Sequence, residues 1–280
     1  MKASPSYPVE ATRLAIARPQ QTKARARPAR KSRFEWLISL VVLLVAWELT
    51  SRSGLFPPSI LVPPRTVVLT FIELCQSGDI TTNLIASLRR LALGYISGAV
   101  AGIAFGLLLG LVPKANQYLG MIFNMLRQIP VIALAPLLML IFGIQETFKV
   151  VMIAVATFFP VALNTFDGTR NVPSAYLEVA SALCLRWWML IRRVILPAAL
   201  PAIVTGLRVS LSRAWLILVA AELFASSEGV GYLIDWGRQL FQLDIVMVGV
   251  LLAGLIGLAL DISLRRIERR LSHWNSQRTA

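Results

Sequence analysis

Six runs of apolar side chains, most of them close to 20 residues long and sparing in charge, recur along this chain of 280 residues. A bilayer core of about 30 Å is crossed by about 20 apolar residues in helical form. Inside it a backbone satisfies its own hydrogen bonds only as a helix or a closed barrel. The runs are Phe34–Thr50, Leu91–Val112, Leu119–Phe142, Phe148–Phe166, Ala198–Phe224 and Ile245–Leu264. All exceed the 9–11 residues of a membrane β-strand, so the expected fold is an all-α membrane protein with about six spans. Only 15% of the chain is charged, against about 25% in a soluble domain. Ordinary soluble enzymes, disulfide scaffolds and disordered chains are thereby excluded.

The charge that is present sits at the ends. The formal net charge is +14; residues 1–33 supply +8 and residues 265–280 supply +4. These segments read as basic cytoplasmic tails around a membrane domain, 34–264. They suit an anionic lipid leaflet, worth about 1 kcal/mol per basic side chain near the surface, better than nucleic acid. No small-residue cleavage site follows the first run, so that run is expected to remain as an anchor.

Orientation follows from the bias of Lys and Arg. If the N-terminus is inside, the inner segments 1–33, 113–118, 167–197 and 265–280 hold nineteen of them, and the outer segments 51–83, 143–147 and 225–244 hold three. Both termini are therefore expected in the cytoplasm, as an even number of spans requires. Cys75 and Cys184 then fall on opposite sides. Arg89 and Arg90 fit this scheme poorly; either they snorkel to the headgroups or an interfacial helix over Val67–Leu74 precedes them.

The second run carries Gly94, Gly98, Gly102, Gly106 and Gly110, one every fourth residue. Lipid offers helices little hydrophobic reason to associate, so close backbone approach over small residues does that work. These glycines are expected to pack against another helix. Gly249, Ala253 and Gly257 form a shorter ladder on the sixth run.

The inner loop 167–197 holds the most specific pattern. Ser174, after Pro173, is a plausible N-cap, and Glu178 lies where a helix dipole favours a carboxylate. A basic aromatic stretch follows (Arg186, Trp187, Trp188, Arg192, Arg193), expected as a second short helix at headgroup level. Pro197 then leads into the fifth span. Together they describe a knob of two short helices facing the cytosol.

These residues resemble the signature of the membrane subunits of binding-protein-dependent ABC importers: Glu-Ala-Ala, three residues, Gly, nine residues, Ile-x-Leu-Pro. Glu178, Val179, Ala180, Cys184, Val194, Leu196 and Pro197 occupy its positions with the spacing kept. Val179 replaces the usual Ala and Cys184 the usual Gly. If that Gly has a positive φ, Cys184 there costs about 1 kcal/mol. Met125–Ile144, Phe158–Val172 and Gly229–Asp244 are similar to the aliphatic-sulfonate, taurine and nitrate branch, nearest to its sulfonate permeases. The resemblance covers roughly residues 35–274.

What it implies is a type I importer permease of the bacterial inner membrane. Two copies would form the pathway, two cytosolic ATPase subunits would grip the Glu178–Cys184 helix, and a periplasmic binding protein would deliver the substrate. The chain contains no Gly-Lys dipeptide, hence no phosphate-cradling loop ending in Gly-Lys-Ser/Thr. ATP and magnesium would then belong to the partner ATPase, and no cofactor or metal to this chain. With a single histidine, His273, neither a multi-histidine metal centre nor a histidine-based catalytic triad is expected.

Arg208, Ser212, Trp215, Val219 and Glu222 share one face of the fifth span. They offer a cation, a hydroxyl, an aromatic ring and an external carboxylate. Arg208, Ser212 and Trp215, with Arg127 near the break at Pro130, are the candidate pathway residues for an anion; the alternative for the arginines is pairing inside the bundle. Taurine and nitrate are the rival substrates. An ATP-independent secondary transporter is the rival class, though no internal repeat or cluster of intramembrane acids supports it.

Overall fold

A computed structural model describes residues 33–54, 57 and 61–271. His273 and most of the two basic tails lie outside the described residues. Eleven α-helices follow in order among those residues: α1 (Arg33–Arg52), α2 (Pro64–Gln76), α3 (Asp79–Leu111), α4 (Pro113–Leu126), α5 (Ala135–Phe142), α6 (Glu146–Arg170), α7 (Ser174–Ala182), α8 (Trp187–Leu190), α9 (Leu196–Ala225), α10 (Val230–Gln239) and α11 (Leu243–Leu271). A 3₁₀ turn, Val131–Leu134, precedes α5, and a π-helical turn, Ile191–Ile195, joins α8 to α9. The chain divides into two compact units, Met1–Ala46 and Trp47–Ala280. The division falls within α1, a helix of 20 residues over the expected first span.

Four helical segments of the second unit are long and apolar enough to cross a membrane: Asp79–Leu111, Glu146–Arg170, Trp187–Gln239 and Leu243–Arg269. The third expected span, Leu119–Phe142, is broken. Pro113–Leu126 and Val131–Phe142 meet at 86° and make a fifth crossing only if taken together. Pro130 explains the break, since it lacks an N–H and biases the residue before it away from helix. The second span also differs from its expected limits. Its helix starts at Asp79 rather than Leu91, so Arg89 and Arg90 lie within α3. The expected interfacial helix is the longer α2, which buries Val67, Thr70 and Leu74 along one side.

The bundle is organised around α3 and α6. Along α3 the five glycines face α6 in sequence: Gly94 meets Val150 and Ile153, Gly98 meets Ala154 and Thr157, Gly102 meets Phe158 and Val161, Gly106 meets Ala162 and Thr165, and Gly110 meets Thr169. An ideal Cβ on Gly102 would stand 2.8 Å from the Phe158 carbonyl oxygen, closer than ordinary contact permits. The backbones approach to a distance that excludes any side chain. Near one end of this seam, Phe105, Phe123, Phe158 and Phe159 pack with ring centroids 5.2–6.4 Å apart, a separation aromatic rings favour. They bring α4 onto the pair.

The other face of α6 receives α9. Pro160 stays inside α6, and Asn164 Nδ2 donates to its carbonyl at 2.8 Å. Gly206 of α9 closes on Asn164 and Pro160. A second core forms where α2 and the start of α3 meet α10 and α11 through Val67, Leu74, Ile80, Leu233, Ile245 and Val248.

The seam makes a quantitative prediction. Gly98→Leu should force α3 from α6, because a Cβ there would already lie 2.9 Å from Ala154 Cα and Thr157 Cβ. Overpacking of this kind costs about 1–3 kcal/mol. Gly254→Ala, at a position with nothing within 4 Å, should change stability by no more than about 1 kcal/mol. Thermal unfolding in detergent compares the two; equal midpoints would remove the seam from its structural role.

Candidate functional site

The loop between α6 and α9 folds locally. Pro173 is extended (φ −56°, ψ 135°) and ends the preceding chain; α7 starts immediately after it with no side-chain cap. Ser174 is therefore the first helical residue, not the N-cap that its type suggests, because the proline has taken that position. Glu178 consequently sits beyond the first turn, outside close reach of the helix dipole, and its side chain is exposed. Ala180 is buried, whereas Leu177, Val179 and Leu183 are exposed. A nine-residue helix thus offers an apolar surface with one carboxylate at its centre.

The end of α7 has a defined geometry. Cys184 N–H donates to Ser181 O at 2.9 Å, and Leu185 N–H reaches back to Ala180 O at 3.1 Å. This is the Schellman pair, which requires a left-handed residue between the helix and its exit. Cys184 is that residue, with φ +50°. The turn that a glycine would make is retained by a cysteine, at the steric cost expected of a side chain there.

From Trp187 onward the chain is helical without a break into α9. The expected second interfacial helix is only the four residues of α8, continued by the π turn. That wide turn ends two residues before Pro197, whose ring and missing N–H disturb a regular α-helical ladder. Trp187 and Trp188 stay exposed, as do Arg186, Arg192, Arg193 and Pro197; Val194 and Leu196 are partly covered. The knob is joined to α9 by hydrogen-bonded backbone rather than by a flexible linker.

At the opposite end of α9 lies a cluster that sequence reasoning missed. Arg90 is 2% exposed and Glu222 is 1% exposed. Arg90 Nη1 donates to Glu222 Oε1 at 2.9 Å and to the Glu228 carbonyl at 2.7 Å. Its Nε and Nη2 fork onto Glu146 at 2.5 and 2.9 Å, and Nη2 also reaches Glu228 Oε1 at 3.1 Å. Lys149 Nζ donates to Glu146 Oε1 at 2.5 Å and to Ser226 Oγ at 3.2 Å. Beside the cluster opens a cavity of about 670 Å³ lined by Glu146, Lys149, Ser226, Asp235 and Gln239 among others. Removing one partner of such a buried pair costs about 3–5 kcal/mol, since the other charge is stranded. The available signal was charge inside apolar sequence; the partners are separated by up to 138 residues, so spacing could not reveal them.

Within this cluster Glu222, expected as a polar group on the α9 stripe, is buried and paired with Arg90 and Ser87. Of the two expectations for Arg90, snorkelling is replaced by burial in ion pairs, whereas a helix preceding it over Val67–Leu74 is present as α2. The remaining members of the α9 stripe separate. Trp215 is buried, its indole N–H donating to Ala253 O at 3.0 Å, while Ser212 is exposed. Arg208 pairs with Glu268 at 2.7 Å and Asp261 at 3.4 Å, tying α9 to α11. Arg127 is exposed at the end of α4, with Asn124 Oδ1 as acceptor at 3.0 Å. The structure does not bring Arg127 together with the α9 residues. Cys75 and Cys184 are both free, exposed thiols.

Cys184 supplies a local test. Cys184→Gly should relieve about 1 kcal/mol of backbone strain, raising amide hydrogen-exchange protection at the end of α7 by about fivefold. Cys184→Val should lower it. Protection that falls in the glycine variant would mean the left-handed turn is not under strain.

The architecture and sequence have known counterparts. Residues 98–273 match the family described as binding-protein-dependent transport system inner membrane component. The putative aliphatic sulfonates transport permease protein SsuC of Bacillus subtilis (strain 168) is 41% identical over 255 residues, covering 90% of this chain and 92% of that protein. The taurine transport system permease protein TauC of Escherichia coli (strain K12) is 32% identical over 263 residues, covering 89% and 96%. In fold, the inward-facing MetNI methionine ABC transporter aligns with a TM-score of 0.59 at 20% identity, over 66% of this chain and 93% of that one. An amino acid ABC transporter solved with histidines aligns at 0.56 and 20%, over 71% and 98%. Type I permease architecture, several apolar helices and sequence agreement across nine-tenths of the chain lead to one assignment: this multi-pass membrane protein belongs to the family of inner membrane components of binding-protein-dependent transport systems.

Proposed function

We propose that this chain is the pathway-forming subunit of an ABC importer for small organic anions, aliphatic sulfonates foremost. Its likeness to a sulfonate permease along 90% of its length supports the substrate class. The observation that carries the mechanism is α7: a short exposed helix with Glu178 at its centre, closed at Cys184 and followed, after a short turn, by continuous helix from Trp187 into α9. Such an element receives a push from a separate protein and delivers it to a spanning helix. Val179, Ala180, Leu196 and Pro197 complete it, the first as exposed contact and the others as its attachment.

In this reading two copies enclose the pathway. Two ATPase subunits, which bind ATP and magnesium, grip α7, and an external binding protein supplies the substrate. The α7 end and both termini face the cytoplasm of a bacterium, in line with the bias of basic residues, and the Arg90 cluster faces outward. Arg208 and Ser212 on α9 and Arg127 near the break after α4 are the proposed polar contacts for a passing anion. Trp215, packed on α11, shapes the wall from behind.

Reconstitution with the ATPase and a sulfonate-loaded binding protein tests the mechanism. Charged hydrogen bonds contribute about 1.5–3 kcal/mol, so Glu178→Lys should reduce substrate-stimulated ATP hydrolysis by about tenfold or more. Stimulation equal to the unmodified complex would refute coupling through α7. Uptake measured in the same vesicles with alkanesulfonates, taurine and nitrate tests the substrate class: alkanesulfonates should be preferred, and preferential uptake of nitrate would refute that assignment.

A further inference from the structure

Three side chains from two helices converge on the first backbone N–H groups of α10. Asn83 Oδ1 of α3 accepts from Gly229 N–H at 2.7 Å, and Ser87 Oγ of α3 accepts from Val230 N–H at 2.8 Å. Glu222 Oε2 of α9 accepts from Gly231 N–H at 2.9 Å. Helix starts leave such donors unpartnered, and a carboxylate is the favoured occupant. Ser87 in turn donates to the Glu222 carboxylate, at 2.8 and 2.9 Å from its two oxygens, while Arg90 holds Oε1. The carboxylate is thus gripped by α3 on one side and α10 on the other.

This arrangement explains the Gly-Val-Gly of the motif that begins at Gly229. Gly229 has φ +124°, and a Cβ there would overlap the Glu222 carboxyl group; one on Gly231 would come within 2.6 Å of Glu222 Cβ. Both glycines let the backbone close on the carboxylate. Arg90 extends the connection to α6 through Glu146 and to the α9–α10 turn through Glu228.

Resting on the permease reading above, we infer that Arg90 and Glu222 are positioning residues for transport. Their interlock makes the outward ends of α3, α6, α9 and α10 move as one block, so displacement delivered along α9 reaches the α3–α6 pair. Away from the α3–α6 seam, apolar contacts between packed helices allow small shear movements. The directional bond between the buried Arg90 guanidinium and the buried Glu222 carboxylate does not, because sliding would strand a buried charge without its partner. A lysine at position 90 would retain charge but lose the fork that reaches Glu146 and Glu222 together.

The test compares uptake and ATP hydrolysis in one preparation of the full complex, with ATPase and substrate-loaded binding protein, in vesicles. Arg90→Lys should lower substrate taken up per ATP hydrolysed by about tenfold, and the ratio should stay low on cooling well below the variant's unfolding temperature. A defect of folding alone would reduce both activities together, leaving the ratio unchanged, or would recover on cooling; either result overturns the inference. Ser87→Ala removes one bond to Glu222 and one to α10 and should lower the same ratio by about two- to threefold. It decides the matter if the lysine variant does not assemble, and an unaltered ratio in it would overturn the inference. An unmodified complex without uptake would instead overturn the permease reading itself, and this inference with it.

Discussion

Close approach of α3 to α6 is the constraint on which the rest of the bundle depends. In a bilayer the usual driving force for burying apolar surface is absent between helices, leaving dispersion and shape. Five glycines at four-residue intervals give one face of α3 no side chains at all, and α6 fills that face with Val150, Ile153, Ala154, Val161 and Ala162. Because the seam is long, it fixes the register of the two helices. That register sets where their polar groups lie: Arg90 sits one turn before Gly94, and Glu146 and Lys149 open α6 beside it. The ionic cluster is thus a consequence of the packing and not an independent feature.

Membrane cost governs the other polar groups as well. A charge within an apolar bundle persists where it meets a partner. Arg90 meets three glutamates, and Arg208 meets Asp261 and Glu268. These two sets occupy opposite parts of the molecule and share α9, which carries Glu222 near one end and Arg208 nearer the other. One long helix is therefore pinned at Glu222 to α3 and at Arg208 to α11, with Gly206, two residues before Arg208, closing on α6.

Much of this was legible in the sequence, for physical reasons. Long apolar runs located α3, α6, α9 and α11, because hydropathy acts residue by residue. The spacing from Glu178 to Pro197 located α7 and its exit, because helix closure is a local event: the Cys184 turn follows from bonds among residues 180 to 185. What was not legible is whatever depends on chain segments meeting from afar. The burial of Glu222 could not be read, because its position near the end of α9 says nothing of Ser87 and Arg90, 135 and 132 residues away. Ser174 looked like a cap because its type favours that role; Pro173 displaced it. A break at Pro130 in the third span was legible from the proline itself, but the 86° between its two halves was not.

The distribution of stiffness then bears on how force could travel. Residues held by directional, buried bonds concentrate at the Arg90 end, where α3, α6, α9 and α10 are joined within one network. Toward α7 the connections change in kind. The π turn Ile191–Ile195 departs from the regular ladder immediately before Pro197, and Pro201 interrupts the next turn of α9 as well. Wide turns and prolines are where helices bend. Bending would therefore concentrate between the exposed α7 knob and Gly206, whereas α9 beyond Gly206 runs as α-helix to Ala225 with no further proline. Were α7 to receive a push, as proposed above, its direction would change at the proline-rich foot of α9, and the Arg90–Glu222 bonds are where it would reach α3.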